Sequence, residues 1–237
     1  MNYFSTVIAL LRDRQAFLEE IHDGVKLKSK MSSLLISSFC FFAVYGLIIG
    51  SYHALYGANS VGFHPPFQIF SSAIKLPALY LITLLVCLPT LYIFNVLFGS
   101  KQTLSQHFTY LLTAISVIAI LLLGFAPVTL FFLITVRDYH FFLLLNVAVF
   151  ALTGILGVSF LYQVMRPIAD DDDQQNIKIR TSILRFWLVL YGFVGSQLGW
   201  TLRPFFGSPG QFELFRPNEG SFFTGVWNAL VNLLTNS

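Results

Sequence analysis

Charged residues are scarce in this sequence. They make up 11% of the 237 residues, whereas hydrophobic residues make up 56%. A typical soluble domain carries about 25% charged residues, so the composition excludes an ordinary soluble domain and favours a membrane protein. The net charge of +3 is too small to indicate a nucleic-acid-binding protein, and we expect no nucleic acid among its partners.

Cysteine is nearly absent as well. Cys40 and Cys87 are the two cysteines, and both lie inside apolar runs without a C-x-x-C partner. This excludes a disulfide framework and a cysteine-based zinc site. We interpret both as small buried apolar side chains.

Catalytic motifs are missing too. The sequence has no Gly-rich phosphate loop, no G-x-S-x-G and no H-E-x-x-H. It also has no carboxylate in the middle of a long apolar run, where a proton- or sodium-coupled transporter usually needs a titratable group. We therefore expect a protein that is not an enzyme and that uses no cofactor.

A metal site has weak support. Histidines and one carboxylate on the same predicted side of the membrane could hold a divalent metal, but their spacing matches no metal motif. We expect no metal, and keep as weak candidates His53, His64, Asp138 and His140.

Long apolar runs are what the sequence does contain. The run from Leu76 to Phe98 carries no charged residue, and as a helix it would be roughly 34 Å long, enough to cross a hydrocarbon core of about 30 Å. The predicted spans are Ser32–Tyr56, Ser72–Ser100, His107–Thr135, Phe141–Met165 and Ser182–Leu202. The sequence thus predicts an all-α polytopic bundle in residues 31–203, with five transmembrane helices and flanking amphipathic helices.

The flanking segments are residues 1–30 and 204–237. Apolar residues at three- and four-residue spacing predict one amphipathic helix over Tyr3–Val25, either lying on the cytoplasmic surface or packed as a lead-in to the first span. Arg203–Gly220 combines proline, glycine and aromatic residues and predicts an ordered loop, and Ser221–Leu234 predicts an interfacial helix too short to cross. The partner-binding candidates of this tail are Arg203, Phe205, Phe206, Phe212, Phe215, Arg216 and Trp227.

Small residues and prolines mark positions within the spans. Small residues at regular helical spacing let helix backbones approach closely, and prolines predict kinks. The packing candidates are Gly46, Gly50, Gly154, Gly157, Gly192, Gly195, Ser196 and Gly199. The predicted kinks are at Pro77, Pro89 and Pro127.

Four polar side chains fall inside the spans. The simplest interpretation is that they form hydrogen bonds between helices, and the alternative is that some of them line a solute path. They are Asn95, Asn146, Gln163 and Gln197.

Lys and Arg are distributed unequally between the two predicted membrane sides. The excess lies on the side of the N-terminus, so the positive-inside rule places the N-terminus in the cytoplasm and the C-terminus on the outer side. We expect a multi-pass protein of a bacterial inner membrane.

The segment from Pro89 to Val128 resembles the Yip1 family of five-span membrane proteins. A span ending in LFGS (Leu97–Ser100) is followed by the turn KQTLSQ and by a span ending near GFAP (Gly124–Pro127). The DLYGP-type motif of the eukaryotic members is missing. The resemblance implies a five-span bundle with a cytoplasmic N-terminus. The stretch KLPALYLITLLVCLPTLYIFN is also similar to uncharacterised bacterial integral membrane proteins and implies no function.

Two functions are compatible with this sequence. The first is a non-enzymatic membrane scaffold or subunit of a larger assembly, whose partners are the lipid bilayer and other membrane subunits or copies of itself. The second is a small-solute or ion channel or transporter with kinked helices.

Overall fold

The computed structural model describes residues 3–56, 65–97, 102–165, 174–202, 205 and 220–235. Every regular element in these residues is an α-helix, as predicted. The helices are α1 (Tyr3–Arg12), α2 (Arg14–His22), α3 (Leu27–Tyr56), α4 (Pro65–Leu97), α5 (Leu104–Thr135), α6 (Tyr139–Met165), α7 (Gln174–Thr201) and α8 (Phe222–Thr235).

Four of these helices are long and apolar enough to cross a membrane. The qualifying segments of α3 to α6 are 26, 31, 32 and 26 residues long, and even 26 residues extend for roughly 39 Å. The predicted all-helical fold is therefore confirmed. Length and composition suit a polytopic membrane bundle with four such helices in the described residues, and the predicted count of five is not confirmed. The fifth predicted span lies in α7, which is 28 residues long but carries Arg185 and Gln197 among its apolar residues.

Two helix starts differ from the prediction. The second span was predicted from Ser72, yet α4 begins earlier, at Pro65, because proline needs no N–H partner in a first turn and its φ already suits a helix. The fifth span was predicted from Ser182, yet α7 begins earlier, at Gln174. The three prolines predicted as kinks lie within helices that continue through them: Pro77, Pro89 and Pro127.

The predicted helix over Tyr3–Val25 is two helices. Asp13 separates them, since its Oδ1 accepts a hydrogen bond from the Ala16 N–H at 3.1 Å and so caps the start of α2. Helix α2 ends at His22, and the chain turns at Gly24, whose φ of +74° suits glycine. The Val25 N–H then donates to the Glu20 carbonyl at 2.8 Å and closes the helix end.

Helices α3 and α5 form the centre of the bundle. Helix α3 packs against α1, α4 and α5, α5 packs against α6, and α7 packs mainly against α4. Aromatic rings fill the interfaces: Phe42 stacks on Tyr80 with ring centroids 4.3 Å apart, and Tyr52 stacks on Phe142 at 5.0 Å. Of the short helices, α2 packs against α5, and α8 packs against α6 and α7.

Candidate functional site

A buried set of polar side chains joins α3, α5 and α6. The Tyr45 hydroxyl donates to Asn146 Oδ1 at 2.9 Å and lies 2.9 Å from Thr129 Oγ1. Because a tyrosine hydroxyl has one proton, Thr129 must be the donor in the second bond. Asn146 Nδ2 donates to the Phe142 carbonyl at 2.8 Å. All three side chains of the set are completely buried, so the set is closed within the protein.

Helices α4 and α7 extend this set. The Tyr80 hydroxyl of α4 has Thr153 of α6 as a hydrogen-bond partner and lies near the Tyr45 hydroxyl. Tyr191 of α7 lies near Tyr80. The Tyr191 hydroxyl is buried and has no hydrogen-bond partner among the described residues. We call Tyr45, Tyr80, Thr129, Asn146, Thr153 and Tyr191 the hydroxyl cluster; all five long helices contribute to it.

The hydroxyl cluster consists of neutral groups. Tyrosine has an ordinary pKa near 10, and hydroxyl and amide groups in a dry interior form directional hydrogen bonds that fix the rotation and depth of each helix. Sequence reasoning named Asn146 and missed the rest. The sequence feature that could have identified the other residues was a tyrosine or threonine inside each long apolar run.

A small apolar cavity lies beside the cluster, between α4, α5, α6 and α7. Its walls include Leu84, Ile118, Leu161 and Tyr191. Trp187, which also lines the cavity, donates from Nε1 to the Cys87 carbonyl at 2.9 Å in a buried hydrogen bond. This bond ties α7 to α4.

Part of the tail is fixed to α4. Gln68 Nε2 donates to the Phe205 carbonyl at 3.4 Å, and the Ser72 hydroxyl donates to the same carbonyl. Gln68, Ser72 and Lys75 are buried on this face of α4. Among the predicted partner-binding residues, Phe205 therefore packs within the chain. Trp227 of α8 is 65% exposed, and outside the described residues lie Arg203, Phe206, Phe212, Phe215 and Arg216.

Ionic and polar contacts hold α2 against the bundle. Lys30 Nζ lies 2.6 Å from Glu20 Oε2 and sits 4.8 Å above the Phe17 ring. The Lys30 ammonium, as hydrogen-bond donor and as a nearby positive charge, holds the pKa of the Glu20 carboxyl below its usual range. Arg14 donates to Gln163 Oε1 at 3.2 Å. These contacts connect α2 with α3 and α6.

Some of the predicted packing glycines lie at close helix contacts. A Cβ added at Gly46 would lie 2.6 Å from the Ser72 carbonyl oxygen, and one at Gly50 would lie 2.9 Å from Ser72 Cβ. A Cβ at Gly157 would lie 2.2 Å from Ile118 Cγ1. The α3–α4 and α5–α6 contacts therefore depend on missing side chains.

The other predicted packing glycines have looser contacts or none. A Cβ at Gly195 would meet Thr83 at an ordinary distance of 3.6 Å, and the nearest atom to one at Gly199 would be 3.9 Å away. A Cβ at Gly154 or Gly192 would meet no atom of the described residues within 4 Å. Among these residues, the structure thus does not place Gly154 and Gly192 at a close helix contact. Ser196 is half-buried.

The four predicted intramembrane polar residues are not brought together. Asn146 and Gln163 form hydrogen bonds to Tyr45 and Arg14, respectively. Asn95 is buried, and its Nδ2 has no partner within the described part of the chain. Gln197 is half-buried in α7.

The weak metal candidates lie in different settings. His64 and the side chain of His53 are outside the described residues. Asp138 Oδ1 accepts a hydrogen bond from the Phe141 N–H at 2.6 Å, at the start of α6. In the ranges that the structure describes, no three His, Cys, Asp or Glu side chains are grouped as a metal site. Of the cysteines, Cys87 is buried as predicted, whereas Cys40 is exposed.

Comparison with known proteins finds no match. No family model, no curated protein and no solved structure matches this chain. The resemblance to the Yip1 family therefore stays a hypothesis that depends on local motifs. Functional inference depends on the geometry described above.

Proposed function

We propose that this protein is a non-enzymatic integral membrane scaffold, a subunit of a larger assembly formed with other membrane proteins or with further copies of this chain. The observation that carries the proposal is the open face of α7. We define this face by Phe186, Val189, Gly192, Phe193 and Ser196.

The open face combines small and large residues. Phe186 is 68% exposed and Val189 is 72% exposed, while a Cβ added at Gly192 would have no atom of the described residues within 4 Å. Ser196 follows Gly192 at the four-residue spacing that lets two membrane helices approach closely. The other face of α7 is occupied by α4, through Trp187. Helix α7 is therefore suited to receive a second helix.

The proposal includes α7 as a fifth span. Its apolar part from Phe186 to Trp200 has about 15 residues and a length of roughly 22 Å, which is short for a bilayer. Arg185 precedes it and donates to the Tyr162 hydroxyl at 3.2 Å. A long basic side chain at the end of an apolar segment can reach the membrane surface, and this lets a short segment span the bilayer.

The proposed orientation follows from the basic residues of the sequence. With five spans the two sides carry unequal numbers of Lys and Arg, which places the N-terminus in the cytoplasm and α8 on the outer side of a bacterial inner membrane. The cytoplasmic set is Arg12, Arg14, Lys26, Lys28, Lys30, Lys101, Arg166, Lys178, Arg180 and Arg185. The outer set is Lys75, Arg137, Arg203 and Arg216.

The bonding of Asn146 favours a scaffold over a solute path. A path past Asn95, Asn146 and Gln197 would need the Asn146 side chain free for a solute. Asn146 instead uses its oxygen for Tyr45 and its nitrogen for Phe142. Aromatic stacking also fills the space between α3 and α4.

The test is native mass spectrometry of the protein extracted gently from its own membrane. We compare wild type with Gly192→Leu, which fills the open face, and with Val189→Leu, which changes an exposed side chain on the same face only slightly. We expect wild type and Val189→Leu to carry a stoichiometric partner or further copies, and Gly192→Leu to lose them. The thermal unfolding temperature should stay the same in all three, because neither position contacts the rest of the chain closely.

Two results would overturn the scaffold proposal. One is a wild-type protein that is monomeric in its native mass, and the other is an assembly that survives Gly192→Leu. Solute or ion flux through the purified monomer in liposomes would support the transport alternative.

A further inference from the structure

The first residues of helix α1 lie beside α3, well beyond the start of α3. The Ser37 hydroxyl of α3 donates to the Tyr3 carbonyl at 3.2 Å. The ring of Phe4 lies 5.8 Å from the ring of Phe41, measured between centroids. The start of α1 is therefore level with the part of α3 between Ser37 and Phe41.

That part of α3 is deep in the membrane segment. Lys26, Lys28 and Lys30 precede it, and basic residues of this kind mark the lipid headgroups. Ser37 is seven residues beyond Lys30, or roughly 10 Å along the helix, and Phe41 is roughly 16 Å along it. Half of a hydrocarbon core of about 30 Å is 15 Å, so α1 begins near the middle of the bilayer.

Helix α1 then returns towards the membrane surface. Leu10 packs in one cluster with Leu34 of α3 and with Phe17 and Ile21 of α2. Leu34 precedes Ser37 along α3, so α1 runs antiparallel to α3. Arg12 is its last residue and its one charged residue, which suits an end at the headgroups.

The two faces of α1 differ in exposure. Val7 and Leu10 are buried against the protein, whereas Phe4, Ile8 and Leu11 are 49%, 61% and 63% exposed. The exposed residues recur at helical spacing and form one apolar stripe. We call Phe4, Ile8 and Leu11 the outer stripe of α1.

We propose that α1 is a half-span inserted in the leaflet on the α2 side, and that its outer stripe contacts the acyl chains of that leaflet. The depth of the outer stripe in the membrane indicates that acyl chains contact it. An exposed apolar side chain that is level with Ser37 to Phe41 of a membrane-crossing helix lies in the hydrocarbon core. The proposal depends on α3 crossing the membrane and not on the scaffold function.

This placement has a consequence for the bilayer. A helix with side chains is about 10 Å wide, and a half-span adds this width to one leaflet alone. The chain therefore occupies more area in the leaflet on the α2 side at the position of α1. A surface-lying helix would instead sit among the headgroups.

The experiment measures the depth of nitroxide labels by electron paramagnetic resonance, with oxygen and a water-soluble nickel chelate as relaxing agents. The full chain is reconstituted in vesicles of phosphatidylethanolamine and phosphatidylglycerol. Exposed Cys40 of the wild-type chain is labelled as a depth reference in α3. In a Cys40→Ser background, single labels are placed at Phe4→Cys, Ile8→Cys and Leu11→Cys, and Val25→Cys serves as the surface reference.

We expect a depth gradient. The label at position 4 should be as deep as the label on Cys40, the label at position 11 should be about 10 Å shallower, and the label at position 8 should lie between them. A flat profile, in which all three labels are as accessible to the nickel chelate as the label at position 25, would overturn the proposal and favour a surface helix. An unchanged unfolding temperature of the labelled variants shows that the fold is retained.

Discussion

Replacing Tyr45 by phenylalanine tests the hydroxyl cluster directly. The substitution keeps the ring, which packs against Phe150 at a centroid distance of 5.8 Å, and removes the hydroxyl bonded to Thr129 and Asn146. Each hydrogen bond between membrane helices contributes about 0.6–1.7 kcal/mol. We therefore expect Tyr45→Phe to lower the free energy of unfolding by about 1–3 kcal/mol, since both bonds are lost and the Asn146 oxygen stays buried without this donor.

The assay is equilibrium unfolding in bicelles or mixed micelles, followed by tryptophan fluorescence. Tyr162→Phe is the matched control, because its hydroxyl accepts an exposed hydrogen bond from Arg185 and should contribute less than about 0.5 kcal/mol. A double-mutant cycle between Tyr45→Phe and Asn146→Leu separates the shared bond from changes in packing, and we expect a coupling energy of at least about 0.5 kcal/mol. A Tyr45→Phe protein as stable as wild type, with no coupling to Asn146, would refute the hydroxyl cluster as a structural device.

Two further predictions concern helix packing and pH. Gly157→Ala should destabilise the protein by about 1–3 kcal/mol, because its Cβ would lie 2.2 Å from Ile118 Cγ1; adding Ile118→Ala should recover part of this loss. Gly154→Ala, on the same helix with no atom within 4 Å, should be neutral or slightly stabilising in the same unfolding assay; equal losses at both glycines would contradict the helix arrangement. The pKa of Glu20 is lowered in the folded protein by Lys30, so its contribution to stability is complete above the usual glutamate pKa of about 4.3 and is lost as pH falls through the folded-state pKa. Limited proteolysis of the α2 region should therefore increase at acidic pH in wild type and should already be raised at neutral pH in Glu20→Gln; an identical pH profile in both proteins would refute this pairing.

Most of the helices could be predicted from hydropathy. The apolar runs of α3 to α6 are much longer than a soluble helix requires, so their existence followed from composition alone. The errors occurred where local chemistry opposes hydropathy. Helix α4 begins at Pro65, before the predicted span at Ser72, and Asp13 divides the N-terminal amphipathic pattern by capping α2. The helical spacing of apolar residues continues past Asp13, so this spacing alone does not show that one helix ends there and another begins.

The hydroxyl cluster could be predicted only in part. Asn146 stood out because an amide is rare in an apolar run, whereas Tyr45, Tyr80 and Tyr191 look like ordinary aromatic residues in a sequence that is 16% aromatic. Which hydroxyl meets which helix depends on the rotation of each helix, and one sequence does not specify that rotation. The same reason explains why Gly157 lies at a tight contact and Gly154, three residues away, lies at none.

The way in which each helix is fixed to the bundle supports the role proposed for α7. Lipid is as apolar as a leucine side chain, so membrane helices are held by close backbone approach and by polar bonds rather than by burial. The α3–α4 and α5–α6 pairs have tight glycine contacts, at Gly46 and Gly157. Helix α7 has an ordinary contact of 3.6 Å at Gly195, and the Tyr191 hydroxyl has no hydrogen-bond partner among the described residues. The Trp187–Cys87 hydrogen bond is a buried polar bond that ties α7 to α4. A helix held in this way gains the most from a partner on its open face, which is why Gly192 is the position where an assembly should be most sensitive.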